Sequence, residues 1–136
     1  MERNERILVY GSPIFSYKNP QLEPNANFLL DYAIAIPTSA KYLPFNFLQI
    51  TNNAEGDIEV WIDDDVNTKK TIPKGTIMTF ENIWFRKVRI VNISPNTLSQ
   101  NKIEITSQRL PIKPELARTP DMPIIQKIKL FWRFLV

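Results

Sequence analysis

Apolar and polar residues alternate along much of this chain, in short runs that predict strands. "IEVWI" places Ile58, Val60 and Ile62 on one face and Glu59 and Trp61 on the other. "RKVRIVNI" groups Val88, Ile90 and Asn92 opposite Lys87, Arg89 and Val91, and "KIEITSQ" points Ile103 and Ile105 the same way. "FNFLQIT" alternates too, with Phe45, Phe47 and Gln49 on one side. A period of two is the signature of a half-buried strand. Shorter runs are "RILVY" (6–10), "IFSY" (14–17), "KTI" (70–72), "IMTF" (77–80) and "IWF" (83–85), and "FLLDYAIAI" (28–36) is more uniformly apolar. Between them lie "GSP", "KNPQLEPNAN", "NNAEGD", "PKGT" and "SPNTLSQN", all rich in turn-forming residues. Roughly eight strands at such spacing predict an all-β antiparallel sandwich, jelly-roll-like in form.

From Arg109 the texture changes. "RLPIKPELARTPDMP" carries Pro111, Pro114, Pro120 and Pro123, which rules out a long helix or a central strand and predicts an extended arm. "IIQKIKLFWRFLV" (124–136) follows. As a helix it groups Ile124, Ile125, Ile128, Phe131, Trp132 and Leu135 against Gln126, Lys129 and Arg133. As a strand it alternates Ile128, Leu130, Trp132 and Phe134 with Lys127, Lys129 and Arg133. Periodicity leaves both open, and the length of the run favours the helix. The expected division is a sandwich over 1–108 and a Pro-rich basic arm over 109–136.

Composition narrows the chemistry. At 136 residues the chain is long enough for one domain with its own core, and 43% hydrophobic against 23% charged residues is an ordinary globular mixture. No run of about 18 apolar residues predicts a membrane span, and "MERNERILVY" does not read as a signal peptide. There is no cysteine and no histidine. Disulfides and thiolate metal sites are thereby excluded, and so are the commonest general base and transition-metal ligand. Only three glycines occur, too far apart for a phosphate-binding loop. The net charge of +3 belongs to the arm. Residues 1–108 hold 11 Lys/Arg against 12 Asp/Glu, and residues 109–136 hold six against two. Such a basic tail has three classes of partner: nucleic acid, an anionic membrane or an acidic protein patch.

Candidate sites are few. Asp63, Asp65 and Asn67 have the one-three-five spacing of a calcium loop, with Asp64 between them. The sixth position is Thr68 instead of glycine, and the twelfth is Lys74 instead of a bidentate glutamate. An acidic hairpin turn is the better account, with Asp63, Asp64 and Asp65 as ligands of a weak cation site at most. The other acids sit at turns or on outward strand positions, and the serines lack a histidine or lysine partner motif. The chain is therefore expected to be no enzyme and to need no cofactor. "WFRKVR" (84–89) mixes aromatic and basic residues as nucleic-acid surfaces do, but strand alternation is the stronger account, and nucleic acid is not the expected partner. Trp61 and Trp84 would serve a carbohydrate-binding sandwich. The arm is the least ordinary feature. Ile124, Ile125, Ile128, Phe131, Trp132 and Phe134 are expected to act as docking anchors on a neighbouring subunit, with Lys127, Lys129 and Arg133 as polar rim; the alternative is an arm packed back on its own domain.

Between Phe45 and Gln108 the order "FLQITNNAEGDIEVWIDD", "TIPKGTIMTF", "VRIVNIS", "KIEITSQR" resembles small β-sandwich virion proteins of bacterial and archaeal viruses, capsid- or connector-associated. The resemblance covers about half of the chain. It implies a non-enzymatic structural subunit, located in a virion, that contacts other copies or other subunits. Without it the expected location is the cytoplasm. The alternatives are a ligand-binding sandwich module and a peripheral membrane protein anchored by residues 124–136.

Overall fold

The computed structural model describes residues 11–111. The expected strand "RILVY" and residues 112–136 of the expected arm, with its docking anchors, lie outside the described residues.

Among the described residues eight strands form two four-stranded sheets, and every strand pairing there is antiparallel. They are β1 (Phe15–Lys18), β2 (Asn27–Asp31), β3 (Phe45–Asn52), β4 (Ile58–Ile62), β5 (Asp65–Ile72), β6 (Thr76–Phe85), β7 (Lys87–Asn92) and β8 (Ile103–Gln108). One sheet runs β1-β8-β3-β6 and the other β2-β7-β4-β5. Consecutive strands mostly cross from one sheet to the other, which is the order of an eight-stranded jelly roll. The core between the sheets is built as the alternation predicts. Ile58 and Val60 of β4, Val88 and Ile90 of β7, and Ile103 and Ile105 of β8 are fully buried, and Ile62 nearly so.

Two segments depart from the expected pattern. In β3 the inward residues are Phe45, Leu48, Ile50 and Asn52, so Phe47 and Gln49 face outward. The cause is an irregularity in the pairing with β6 between Phe45 and Phe47. There β6 advances four residues, from Phe85 to Glu81, against two on β3, and the inward positions of β3 step from Phe45 to Leu48 instead of to Phe47. "FLLDYAIAI" is a strand only to Asp31. Its second half turns into a short helix, α1 (Tyr32–Ala35), and a 3-10 helix (Pro37–Tyr42). Tyr32 is thereby swung into the core. Its ring meets Phe45 edge-on at 4.9 Å, and its hydroxyl bonds the Ser107 hydroxyl.

Three buried asparagines organise one end of the sandwich. Asn52 accepts the Ala54 N–H and donates to the Gly56 and Ile72 carbonyls. Asn92 accepts from the Ser94 N–H and hydroxyl and donates to Leu22, Glu23 and Asn96. Asn19 accepts from Lys102 and Ile103 and donates to Pro20 and Ser99. Each side chain replaces the ladder where a strand gives way to a loop. Gly56 packs so tightly against the Ser94 side chain that no Cβ would fit. Asn92→Ala is expected to lower unfolding stability by about 1–3 kcal/mol, the range for stranding buried polar partners. Denaturant titration checks this, and a loss below the detectable range would contradict it.

Candidate functional site

The aspartates build a turn and a clamp. Asp63 and Asp64 are the two loop residues between β4 and β5, with φ of 53° and 58°. Two positive φ values in a two-residue connection make the tight hairpin turn whose twist suits antiparallel strands, and aspartate tolerates that conformation. The Asp63 carboxylate accepts the backbone N–H groups of Arg86 at 2.7 Å and Lys87 at 3.2 Å. It thus ties this turn to the neighbouring β6–β7 connection. Asp64 pairs with Arg89, whose guanidinium also reaches Asn27. That hydrogen bond holds the Asp64 carboxyl below the usual carboxylate range. Asp65 caps its own turn by accepting the Asn67 N–H at 2.9 Å. The three carboxylates therefore have separate partners, and no three acidic, His or Cys side chains converge on one point among the described residues. Calorimetric titration with calcium is expected to show no binding in the micromolar range of sensor loops. Micromolar binding that disappears in Asp63→Asn with Asp65→Asn would overturn the hairpin account.

"WFRKVR" is divided between surface and core. Phe85 and Val88 are buried, Arg86 and Lys87 are exposed at the turn, and Arg89 is held by Asp64 and Asn27. Trp84 is 46% exposed, but the Arg109 guanidinium lies 5.3 Å from its ring centre. Trp61 is half-buried on the outer face of the β2-β7-β4-β5 sheet, and its indole N–H donates to Glu59 at 2.7 Å. Trp61 and Trp84 thus each already have an internal partner.

Arg109 lies where the chain leaves β8, at a point held by several hydrogen bonds. Ser12 and Arg109 are joined twice: the Ser12 N–H donates to the Arg109 carbonyl, and the Arg109 N–H donates to the Ser12 hydroxyl, each at 2.8 Å. The Asn46 side chain brackets Leu110, accepting its N–H at 2.6 Å and donating to its carbonyl at 3.2 Å. Gly11 has φ of +76°, and a Cβ there would meet the Arg109 carbonyl and Pro111. Burial pushes the Arg109 guanidinium below its ordinary range, and Arg86 nearby adds to the effect. The chain is therefore held through Leu110, and Gly11 lies beside Pro111. The sequence marks Gly11–Ser12–Pro13 only as a turn. The part of Asn46 was not legible, because an outward asparagine on a strand looks like any solvated residue.

The opposite end holds the loops pinned by the asparagines. A shallow cavity of about 280 Å³ lies there, lined among others by Glu55, Lys74 and Ser94. The Glu55 carboxylate is occupied by the Ser99 hydroxyl and N–H, which hold its pKa below the usual value. No helix among the described residues is long and apolar enough to cross a membrane.

No family model matches the sequence, and no curated protein matches it. Solved structures similar in fold include the coat protein of tobacco streak virus, at 11% identity over 82% of this chain and 90% of that one, with a TM-score of 0.42. A de novo designed double-stranded β-helix is similar at 14% identity over 72% of this chain and 100% of the design, with a TM-score of 0.41. An oxalate oxidase is similar at 10% identity over 90% of this chain and 57% of that one, with a TM-score of 0.39. These neighbours include a viral coat protein and an enzyme. At such values they assign nothing beyond the two-sheet β fold that the strand order already shows.

Proposed function

We propose that the protein is a non-enzymatic structural subunit of a multi-chain assembly, a virion protein that docks on its neighbours through residues 109–136. The observation that carries this reading is the anchored exit of the chain at Arg109–Pro111. Asn46, Ser12 and Trp84 hold Arg109 and Leu110, so the proline-rich segment starts from an anchored point. Ordering such a segment on a partner costs less entropy than ordering a flexible one. The virion setting draws on the sequence resemblance and on the jelly-roll order, a form that builds viral capsid domains as well as lectins and cupins. That last step is fold-level analogy, so the test must separate assembly from the other uses of a basic apolar arm.

The test is sedimentation of the full chain at low salt and at about 1 M salt, where the screening length falls to about 3 Å, with a parallel flotation assay on anionic vesicles. An apolar-driven assembly keeps its mass at high salt and does not float with vesicles. A monomer that floats with anionic vesicles and is released by salt would overturn the proposal in favour of a peripheral membrane protein.

A further inference from the structure

The four outer strands of the two sheets are not equally protected. β1 has four residues and β2 five, and β5 carries Lys69 and Lys70. Short length and lysines are the usual devices that keep an edge from pairing with another chain. β6 has ten residues, "TIMTFENIWF", with neither Lys, Arg nor Pro and with Glu81 as its single charge. It pairs with β3 and with no other strand among the described residues. The pairing with β3 is regular from Thr76 to Glu81, and Asn82, at φ 62°, marks the end of that run. Among the described residues this outer edge thus offers six regular residues, roughly 20 Å of strand.

Its two faces differ. Met78 and Phe80 lie opposite Ile50 and Leu48 on the core side, yet they are only partly buried. Ile77, Thr79 and Glu81 lie opposite Thr51, Gln49 and Phe47 on the outer side, and Ile77 is 62% exposed. A strand laid along this edge would need an apolar side to cover Met78 and Phe80. Its other side would need to be basic or amphipathic, to lie beside Glu81 and Ile77.

We propose that the occupant is residues 127–134 of a neighbouring copy, added to β6 as a strand. This rests on the reading of the arm as the assembling element and names where it lands. Ile128, Leu130, Trp132 and Phe134 alternate with Lys127, Lys129, Phe131 and Arg133, so one side is apolar and the other mainly basic. No proline follows Pro123, so every backbone N–H in the segment can join a ladder. The basic side meets Glu81, and the apolar side extends the core past Met78 and Phe80. A neighbour's segment fits better than the chain's own. Arg109 already lies against Trp84 at the far end of β6, so a return onto the chain's own edge needs only a short connection. Residues 112–123 with Pro114, Pro120 and Pro123 span roughly 37 Å when extended as polyproline, long enough to reach another subunit.

The natural absence of cysteine makes the test clean. Full chains carrying Thr79→Cys are mixed with full chains carrying Lys127→Cys, Lys129→Cys or Arg133→Cys, and then oxidised. A disulfide joining the two chains is expected for at least one pair, giving a species of twice the 15.9 kDa chain. None is expected when Ser16→Cys on β1 replaces Thr79→Cys. The proposal is overturned if Thr79→Cys links only to itself, which would mean that β6 meets β6. It is overturned if the double variant Thr79→Cys with Lys129→Cys closes only within one chain, or if no linked species forms. If Phe131→Ala with Trp132→Ala still dissolves the assembly while no Thr79 link forms, the arm docks elsewhere. In that case this inference fails and the assembly reading stands.

Discussion

Phe131→Ala combined with Trp132→Ala is expected to abolish assembly, whereas Lys127→Ala with Lys129→Ala and Arg133→Ala should only weaken it and change its salt dependence. Fully burying a large apolar side chain contributes roughly 1.5–3 kcal/mol, and an exposed ion pair contributes about 0–1 kcal/mol. Nine apolar residues follow Pro123, from Ile124 to Val136, beside three basic ones. A few buried anchors therefore outweigh all three charges together, and large aromatics dominate most interfaces. Sedimentation of both variants beside the unaltered chain checks this. If the basic triple is the more damaging and high salt mimics it, the partner is an anionic surface.

The second large effect lies in the core. Phe45→Ala is expected to cost about 3–5 kcal/mol, the range for truncating a buried aromatic, out of a total stability of about 5–15 kcal/mol for a domain of this kind. Phe45 is fully buried and touches three aromatic rings, Phe15 at 5.6 Å, Tyr32 at 4.9 Å and Phe85 at 6.1 Å between centroids. Phe47, two residues on, faces outward, and Phe47→Ala is expected to cost far less. Denaturant unfolding of the two variants decides the matter. Equal losses would mean that the two phenylalanines share a face, as simple alternation implies, and would refute the irregularity in β3.

That pair of residues shows where sequence reading stops. Regular strands were legible: Ile58–Val60–Ile62, Val88–Ile90–Asn92 and Ile103–Ile105 alternate without interruption, and each set faces the core. A pairing irregularity is set by the partner strand, so nothing local in "FNFLQIT" announces the flip after Phe45. "FLLDYAIAI" misleads for a related reason. Its apolar run continues past Asp31, but Tyr32 is carried inward by a helical turn and not by strand pleating. The acidic turn was legible because aspartate tolerates positive φ and because the calcium pattern fails at Thr68 and Lys74. The clamp from Asp63 to Arg86 and Lys87 was not, since it joins segments more than 20 residues apart. The pinning asparagines left a faint signal. Asn52 in "TNNA" and Asn92 in "VNIS" each close an apolar strand and accept the N–H two residues on, a habit of asparagine at turns. The anchored exit at Arg109–Pro111 was invisible, because its partners Ser12 and Asn46 are remote in sequence. The edge exposure of β6 depends on sheet order, which alternation does not encode.

The most direct test of the central claim is the mass in solution of the full chain compared with a chain truncated after Pro111. The cut falls there because Arg109 and Leu110 still bond to Ser12 and Asn46. The account predicts a multi-subunit particle for the full chain and a cooperatively folding monomer for the truncated one. A full chain that stays monomeric at high concentration, or a truncated chain that assembles as well as the full one, would contradict it.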